Sequence, residues 1–112
     1  MKFVETRTII INFMKEDGKT NLLIERFLKL LRFLYKELFR LGKLTDYRIF
    51  FTVNLGSIER IVEYNQDIFE LDISGEELRL TRNKSIEELV EKHPVDETLI
   101  SIIRKFIEQE EN

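Results

Sequence analysis

Several residue types on which enzymes depend are scarce or missing in this chain of 112 residues. Cysteine and tryptophan are absent, and histidine and proline occur once each. Without cysteine there can be no disulfide and no thiolate metal site. The single histidine, His93, precedes Pro94, as expected at the end of a helix, and no second histidine is available to act as a base or ligand. The four glycines are isolated, so no phosphate-binding loop is predicted.

A metal site would therefore have to be built from carboxylates. The nearest candidates in the predicted arrangement are Glu59, Glu70 and Asp72, but Arg79 is predicted opposite Asp72 and already offers a balancing charge. The serines lie in no nucleophile-elbow sequence. We accordingly predict no metal site, no cofactor and no catalytic residue, and the inventory points away from an enzyme.

Long apolar runs are also missing. No run reaches the roughly 18 residues that cross a bilayer, and the first residues, MKFVETRT, do not have the pattern of a signal peptide. We expect a cytoplasmic protein that does not insert into membranes. With 43% hydrophobic and 35% charged residues, and no repeat or flexible linker, the chain is predicted to form one α+β domain over residues 1–112.

The net charge of −3 conceals an uneven distribution along the chain. Residues 1–56 hold eleven Lys and Arg against six Asp and Glu, whereas residues 57–112 hold seven against fifteen. The two halves therefore carry +5 and −8. Opposite charges of this size should attract the halves to each other or to the halves of a second copy.

The apolar pattern predicts the order β-α-β-β-β-β-α-α. A β-branched run at 6–13 indicates a strand covered on both faces, and an amphipathic helix is predicted at 21–41 with Gly42 as its stop. Two-residue turns then separate four strands, which form an antiparallel meander. The long helix and two C-terminal helices cover one face of this meander. The predicted strands are 47–54, 57–64, 67–74 and 77–82, and the C-terminal helices are 85–93 and 96–110.

Pairing the strands across two-residue turns gives the meander one apolar face. Its rows are Val53, Ile58, Ile73 and Leu78, followed by Phe51, Arg60, Leu71 and Leu80. Arg60 interrupts this face, and a guanidinium beneath the helices needs an anion or a route to water. A carboxylate of Glu25, Asp96 or Glu97 could provide the anion, as could an anionic ligand beside the sheet. Arg60 is therefore a candidate binding residue.

The stretch RFLKLLRFLYKELFRLGK, at 26–43, is both apolar and basic. On a helical projection, its apolar residues fill about half of the circumference. A membrane-surface helix would leave the apolar face of the sheet bare, so we interpret the stretch as the cover of the core. The apolar half is nevertheless wider than one sheet requires. A second copy packed on the excess would explain the width and predicts a homodimer.

The other half of this helix carries a basic stripe. One interpretation is a solvated helix face, and another is a nucleic-acid site, where cations neutralise phosphates and an aromatic ring stacks on a base. The acidic second half of the chain would repel phosphates, so a protein partner fits better. The candidate binding residues are Arg26, Lys29, Phe33, Lys36, Arg40 and Lys43, together with Arg60.

Three functional hypotheses follow from these patterns. The preferred one is a small non-enzymatic protein-interaction module of the adaptor, inhibitor or immunity type, acting as a homodimer. The second is a nucleic-acid-binding accessory protein that uses the basic stripe of the 21–41 helix. The third is a small-molecule binder or enzyme with a pocket between helix and sheet.

Overall fold

The computed structural model describes residues 2–48 and 55–111. These residues form five α-helices and five short strands, so the predicted α+β class is confirmed, whereas the predicted element order is wrong. The elements are β1 (Lys2–Phe3), α1 (Thr6–Asp17), β2 (Asn21–Leu23), α2 (Ile24–Arg40), β3 (Tyr47–Arg48), α3 (Leu55–Tyr64), β4 (Phe69–Leu71), β5 (Glu77–Leu80), α4 (Ile86–Lys92) and α5 (Glu97–Glu110), and a 3₁₀ turn (Leu44–Asp46) precedes β3.

The segment predicted as the first strand, 6–13, belongs to helix α1. The helix is buried on nearly all sides, because every residue from Thr8 to Met14 is buried. A helix without a polar face shows no 3.6-residue alternation, so its sequence cannot be distinguished from that of a buried strand by periodicity. Gly18, at φ 71°, ends α1, and its N–H donates to the carbonyls of Met14 and Lys15.

Helix α2 lies within the predicted 21–41 segment but begins only at Ile24. The preceding residues, Asn21–Leu23, form the strand β2, which pairs with β5 in antiparallel orientation. At the other end, the Lys43 N–H donates to the Leu38 carbonyl and the Gly42 N–H to that of Phe39. With Gly42 at φ 69°, these two bonds form a Schellman motif and end the helix.

The predicted four-stranded meander is wrong. Residues 57–64, predicted as its second strand, lie in helix α3, and β3 contains only Tyr47–Arg48 of the predicted 47–54 strand. The remainder of that strand, 49–54, lies outside the described residues. Ile58, Ile61 and Val62 are spaced i, i+3, i+4, which suits a helix as well as a short strand. The described strands form a pair, β1–β3, and a three-stranded antiparallel sheet, β2-β5-β4.

The predicted register of the last two strands is wrong by two residues. Leu71 pairs with Leu78, whereas the sequence placed Leu71 opposite Leu80. The cause is a longer turn over 72–76, in which the Asp72 carboxylate accepts from the N–H groups of Glu76 and Glu77. Because the shift is an even number of residues, the apolar side chains stay on one face of the sheet.

Helix α1 lies at the centre of the core. It packs against α4 and α5, while α2 packs against α5 and β2. The Asn12 amide is buried and donates to the carbonyls of Thr8 and His93, both at 2.8 Å, which fixes α1 to the end of α4. The largest fully buried side chains are Phe13, Phe27, Phe69, Ile9, Ile10, Ile11, Leu30, Leu34, Leu38, Ile58, Leu78 and Leu99.

Candidate interaction surface

Helix α2 has one buried face and one exposed face. The buried face consists of Ile24, Phe27, Leu30, Leu31, Leu34 and Leu38. Since α5 and β2 both pack against α2, most of the wide apolar half has a partner within the same chain. Tyr35 and Phe39, which belong to the same half, remain exposed, so the homodimer stays a prediction. The exposed face is available for binding.

Arg26, predicted as part of the basic stripe, lies in an internal ion-pair network. Its guanidinium donates to both carboxylate oxygens of Asp17, at 2.7 and 2.8 Å, and to Glu110 at 2.7 to 3.0 Å. It also lies over the Phe13 ring, 4.7 Å from the centroid. The hydrogen bonds to Asp17 and Glu110 raise the pKa of the guanidinium. Arg26 thus joins α1, α2 and α5 and is not available to a partner.

Arg40 is exposed but is paired on its own helix. Its guanidinium donates to the Glu37 carboxylate at 2.7 Å, and Lys105 of α5 donates to the same group at 3.2 Å. Hydrogen bonds from Arg40 and Lys105 hold the pKa of Glu37 below its ordinary range, although burial opposes them. The charges of Arg40 and Lys105 are therefore partly neutralised within the chain.

The aromatic residues on the exposed side of α2 differ from the one predicted. Phe33 is half-buried, and its ring packs 5.5 Å from that of Phe106. Phe39 and Tyr35, both assigned to the apolar half of the helix by the sequence, are instead 70% and 44% exposed. Helical spacing could have indicated that Phe39 is exposed. Phe39 follows Arg32 by seven residues, or almost two turns, so the two side chains lie within about 20° of each other around the helix axis.

Three cations lie on the same side of α2 as these aromatic residues, and a fourth, Lys43, follows the end of the helix. Lys29, Arg32, Lys36 and Lys43 are exposed, and within residues 2–48 and 55–111 none of them forms an ion pair. From Lys29 to Phe39 the helix is about 15 Å long. We define the basic face as Lys29, Arg32, Tyr35, Lys36, Phe39 and Lys43. It combines unneutralised positive charge with a large exposed hydrocarbon surface.

Arg60 is not beneath the helices, as the predicted register required. It lies on α3, where its side chain is exposed to solvent. Water can therefore solvate the guanidinium, and neither an internal carboxylate nor an anionic ligand is needed to explain it. The prediction was wrong because it rested on a strand at 57–64. The structure does not place Arg60 in the sheet.

Asp96 forms a second polar cluster, away from the basic face. Its carboxylate accepts from Lys2 Nζ at 2.7 Å, from the Tyr47 hydroxyl and from the Leu99 N–H, which makes Asp96 the N-cap of α5. Burial alone would raise the pKa of this carboxyl, but the hydrogen bonds from Lys2, Tyr47 and Leu99 outweigh burial and lower it. The cluster attaches the β1–β3 pair to α5 and is structural.

Acid is expected to weaken the fold through Asp96. The pKa of Asp96 is lower in the folded chain than in the unfolded chain, so the unfolded chain binds a proton first as the pH falls. The stabilisation is complete above the ordinary carboxyl pKa of about 4 and is lost as the pH falls through the folded pKa. Asp96→Ala should lower the free energy of unfolding by about 1–2 kcal/mol near neutral pH, since it removes the N-cap.

Urea unfolding of the wild type and Asp96→Ala, near neutral pH and again near pH ~3, would measure this effect. The difference between the two proteins should shrink in acid. Asp67→Ala is the control, because the Asp67 side chain is 72% exposed and its pair with Lys84 is long, at 3.9 Å. If Asp96→Ala lowered the free energy of unfolding equally at both pH values, the ionised carboxylate of Asp96 would not be the source of the stabilisation.

Other sites for chemistry have little support among the described residues. No group of three or more His, Asp or Glu side chains within residues 2–48 and 55–111 is arranged to hold a metal ion. His93 is half-buried at the end of α4, and burial together with the charge of Arg7 lowers its pKa. The surface depressions described have volumes from about 260 to 580 Å³ and are open to solvent.

No protein family, curated protein or solved structure matches this chain. Among the helices of the described residues, none combines the length and the apolar character that a bilayer crossing requires. On the surface of the described residues, the basic face is the feature with the clearest chemical character.

Proposed function

We propose that this chain is a small, non-enzymatic protein-interaction module that binds an acidic surface of a partner protein through the basic face. The observation that carries the proposal is Phe39, which is 70% exposed on the side of α2 that carries Lys29, Arg32 and Lys36, three cations without ion pairs in the described residues. Adaptor, inhibitor and immunity-type roles are all compatible with such a module.

The energetics of Phe39 favour a protein partner. Transferring a fully exposed phenylalanine side chain from water into an interface contributes about 1.5–3 kcal/mol. Aromatic side chains and arginine are enriched at interface centres, where a few residues supply most of the binding energy. Phe39, Tyr35 and Arg32 offer this chemistry, while Lys29 and Lys36 would attract an acidic partner during diffusion.

The charges argue against a symmetric dimer through this face. A two-fold axis would bring Lys36 and Arg32 of one copy against the same residues of the other, and like charges in contact repel. The homodimer predicted from the sequence is therefore not part of this proposal. Light scattering over a broad concentration range measures the oligomeric state directly.

The test compares two triple variants that make the same change in charge. One variant, Lys29→Glu with Arg32→Glu and Lys36→Glu, reverses the basic face. The matched control, Lys15→Glu with Arg82→Glu and Lys92→Glu, reverses three cations that are exposed elsewhere. A partner recovered from native cells after nuclease treatment should be identified, purified and measured against both variants.

The basic-face variant is expected to bind this purified partner at least about tenfold more weakly than the wild type, because steering and contact charges are lost. The control should bind within about threefold of the wild type. Phe39→Ala alone should also weaken binding, since it removes the apolar contact. Equal affinities for the basic-face variant and the control would count against the proposal.

Nucleic-acid binding is the second candidate, and the same six residues favour it. Exposed aromatic rings with neighbouring cations can stack on bases while neutralising phosphates. The net charge of −3 opposes it, as phosphates would be repelled by much of the remaining surface. Titration with a single-stranded oligonucleotide at two salt concentrations separates the candidates. Tight, salt-sensitive binding that is lost in the basic-face variant would favour nucleic acid.

A further inference from the structure

Among the described residues, β2 is an edge strand of its sheet. In its pairing with β5, the Ile24 N–H donates to the Glu76 carbonyl, and the Leu80 N–H donates to that of Thr20, both at 2.9 Å. Backbone groups in an antiparallel strand alternate in direction, so the N–H groups of Asn21 and Leu23 and the Asn21 carbonyl point to the side opposite β5. The Leu23 carbonyl belongs to the first turn of α2, because Leu23 is its N-cap. The sheet order β2-β5-β4 places no strand of the described residues on that side.

A groove of about 440 Å³ lies beside this edge, between β2 and the end of α5. Leu23, which is 52% exposed, and the half-buried Ile107 contribute to its apolar surface. Such a groove could accommodate the side chains of an additional strand. Free backbone groups beside an apolar groove are the requirements for binding a peptide by strand addition.

The charge around the groove is acidic. Its lining contains the four carboxylates Asp17, Glu77, Glu110 and Glu111, against two cations, Lys19 and Arg26. Arg26 is already bound to Asp17 and Glu110, and Glu77 pairs with Arg79 at 3.1 Å, so Glu111 is the one carboxylate of the groove without an ion pair among the described residues. The last turn of α5 also has no basic residue to offset the negative end of its helix dipole. The groove is therefore complementary to a cation.

We propose that this edge binds an extended segment of another protein that carries basic side chains, and that the segment adds to the sheet as a fourth strand beside β2. Backbone hydrogen bonds would run to Asn21 and Leu23, and a lysine or arginine would lie near Glu111. A second copy of this chain does not fit, because pairing β2 with its copy would bring two acidic grooves together. The site is separate from the basic face and independent of it.

The backbone of Leu23 allows a direct test. Its φ of −66° is the angle that proline adopts, and the residue before it is in a strand, as proline requires. Its N–H points away from β5, so Leu23→Pro removes the proposed hydrogen-bond donor without breaking a described bond. Leu23→Ala is the matched control, because it removes the side chain and keeps the N–H.

The ligand in the test is an acetylated Lys-Val-Lys-Val-Lys peptide, with Glu-Val-Glu-Val-Glu as its charge control. Binding to isotope-labelled protein is followed through backbone amide shifts. The basic peptide should shift the amides of Asn21, Leu23 and Glu111, and the acidic peptide should not. Leu23→Pro should weaken binding about tenfold and Leu23→Ala less than about threefold, since only the first loses the donor.

Equal weakening by the two variants would overturn the proposal, as would shifts confined to other parts of the chain or no binding of the basic peptide. Circular dichroism first establishes that Leu23→Pro is folded. If it is not, the wild-type protein is titrated with two methylated forms of the basic peptide, each methylated on one of the two alternating sets of backbone nitrogens. One of the two forms should fail to bind, because its methyl groups replace the N–H groups that face β2. An unchanged affinity for both forms would equally overturn strand addition.

Discussion

Replacing Arg26 with alanine is expected to lower the free energy of unfolding by about 2–4 kcal/mol, because breaking a buried ion pair leaves the other charge without a partner. The charge left behind is Asp17, whose side chain is only 8% exposed. The variant also loses two hydrogen bonds to that carboxylate and the contact with the Phe13 ring. Urea unfolding at neutral pH would measure the change.

Arg104→Ala is the matched control for this experiment. Arg104 also pairs with a carboxylate of α1, Glu16 at 3.0 Å, but its side chain is 58% exposed. Exposed pairs contribute about 0–1 kcal/mol, so the control should unfold close to the wild type. Adding Asp17→Asn to Arg26→Ala should recover part of the loss. If Arg26→Ala and Arg104→Ala lowered the free energy of unfolding by similar amounts, the ion pair of Arg26 would contribute no more than an exposed one.

Phe13→Ala should lower the free energy of unfolding by about 3–5 kcal/mol, the range for a fully buried phenylalanine. Phe13 is completely inaccessible to solvent, and its ring packs edge-on against Phe106 at 5.8 Å between centroids. The substitution leaves a cavity between α1 and α5 and removes the surface on which Arg26 rests. Equilibrium unfolding by two spectroscopic signals would measure the loss.

Phe39→Ala is the control for Phe13→Ala, because it removes an exposed phenylalanine instead of a buried one. Because Phe39 lies mainly in solvent, its removal should change the free energy of unfolding by no more than about 0.5 kcal/mol. A loss above about 2 kcal/mol for Phe39→Ala would mean that the ring packs within the fold. It would then be unsuitable as the contact residue of the proposed interaction surface.

The two C-terminal helices show what local signals in the sequence can predict. The helix predicted at 85–93 is α4 (Ile86–Lys92) with Ser85 as its N-cap, and the helix predicted at 96–110 is α5 with Asp96 as its N-cap. Capping residues, proline and one-sided apolar spacing all act within a few residues of the helix they define. Such signals do not depend on how the rest of the chain packs.

The errors occurred where tertiary packing decides the structure. Helix α1 has lost its polar face to the helices and strands around it, so nothing local separates it from a buried strand. At β4 and β5, the register depends on a five-residue turn held by Asp72. The misplacement of Arg60 followed from the error at α3.

The basic face was predicted in part. The one-sided charge of α2 could be read from helical spacing, and Lys29, Lys36 and Lys43 are exposed as the basic stripe required. The sequence could not tell that Arg26 meets Glu110, which lies 84 residues away, or that Phe106 covers Phe33. Long-range neighbours of this kind decide which members of a stripe remain accessible.

The central position of α1 has a consequence for the synthesis of the protein on the ribosome. The carbonyl of His93 that receives the Asn12 amide lies 81 residues further along the chain. Until α4 and α5 have left the exit tunnel, α1 lacks the two helices that pack against it, and its isoleucines are more open to chaperones and to other nascent chains. We therefore expect the native contacts of α1 to form only after α5 has been synthesised.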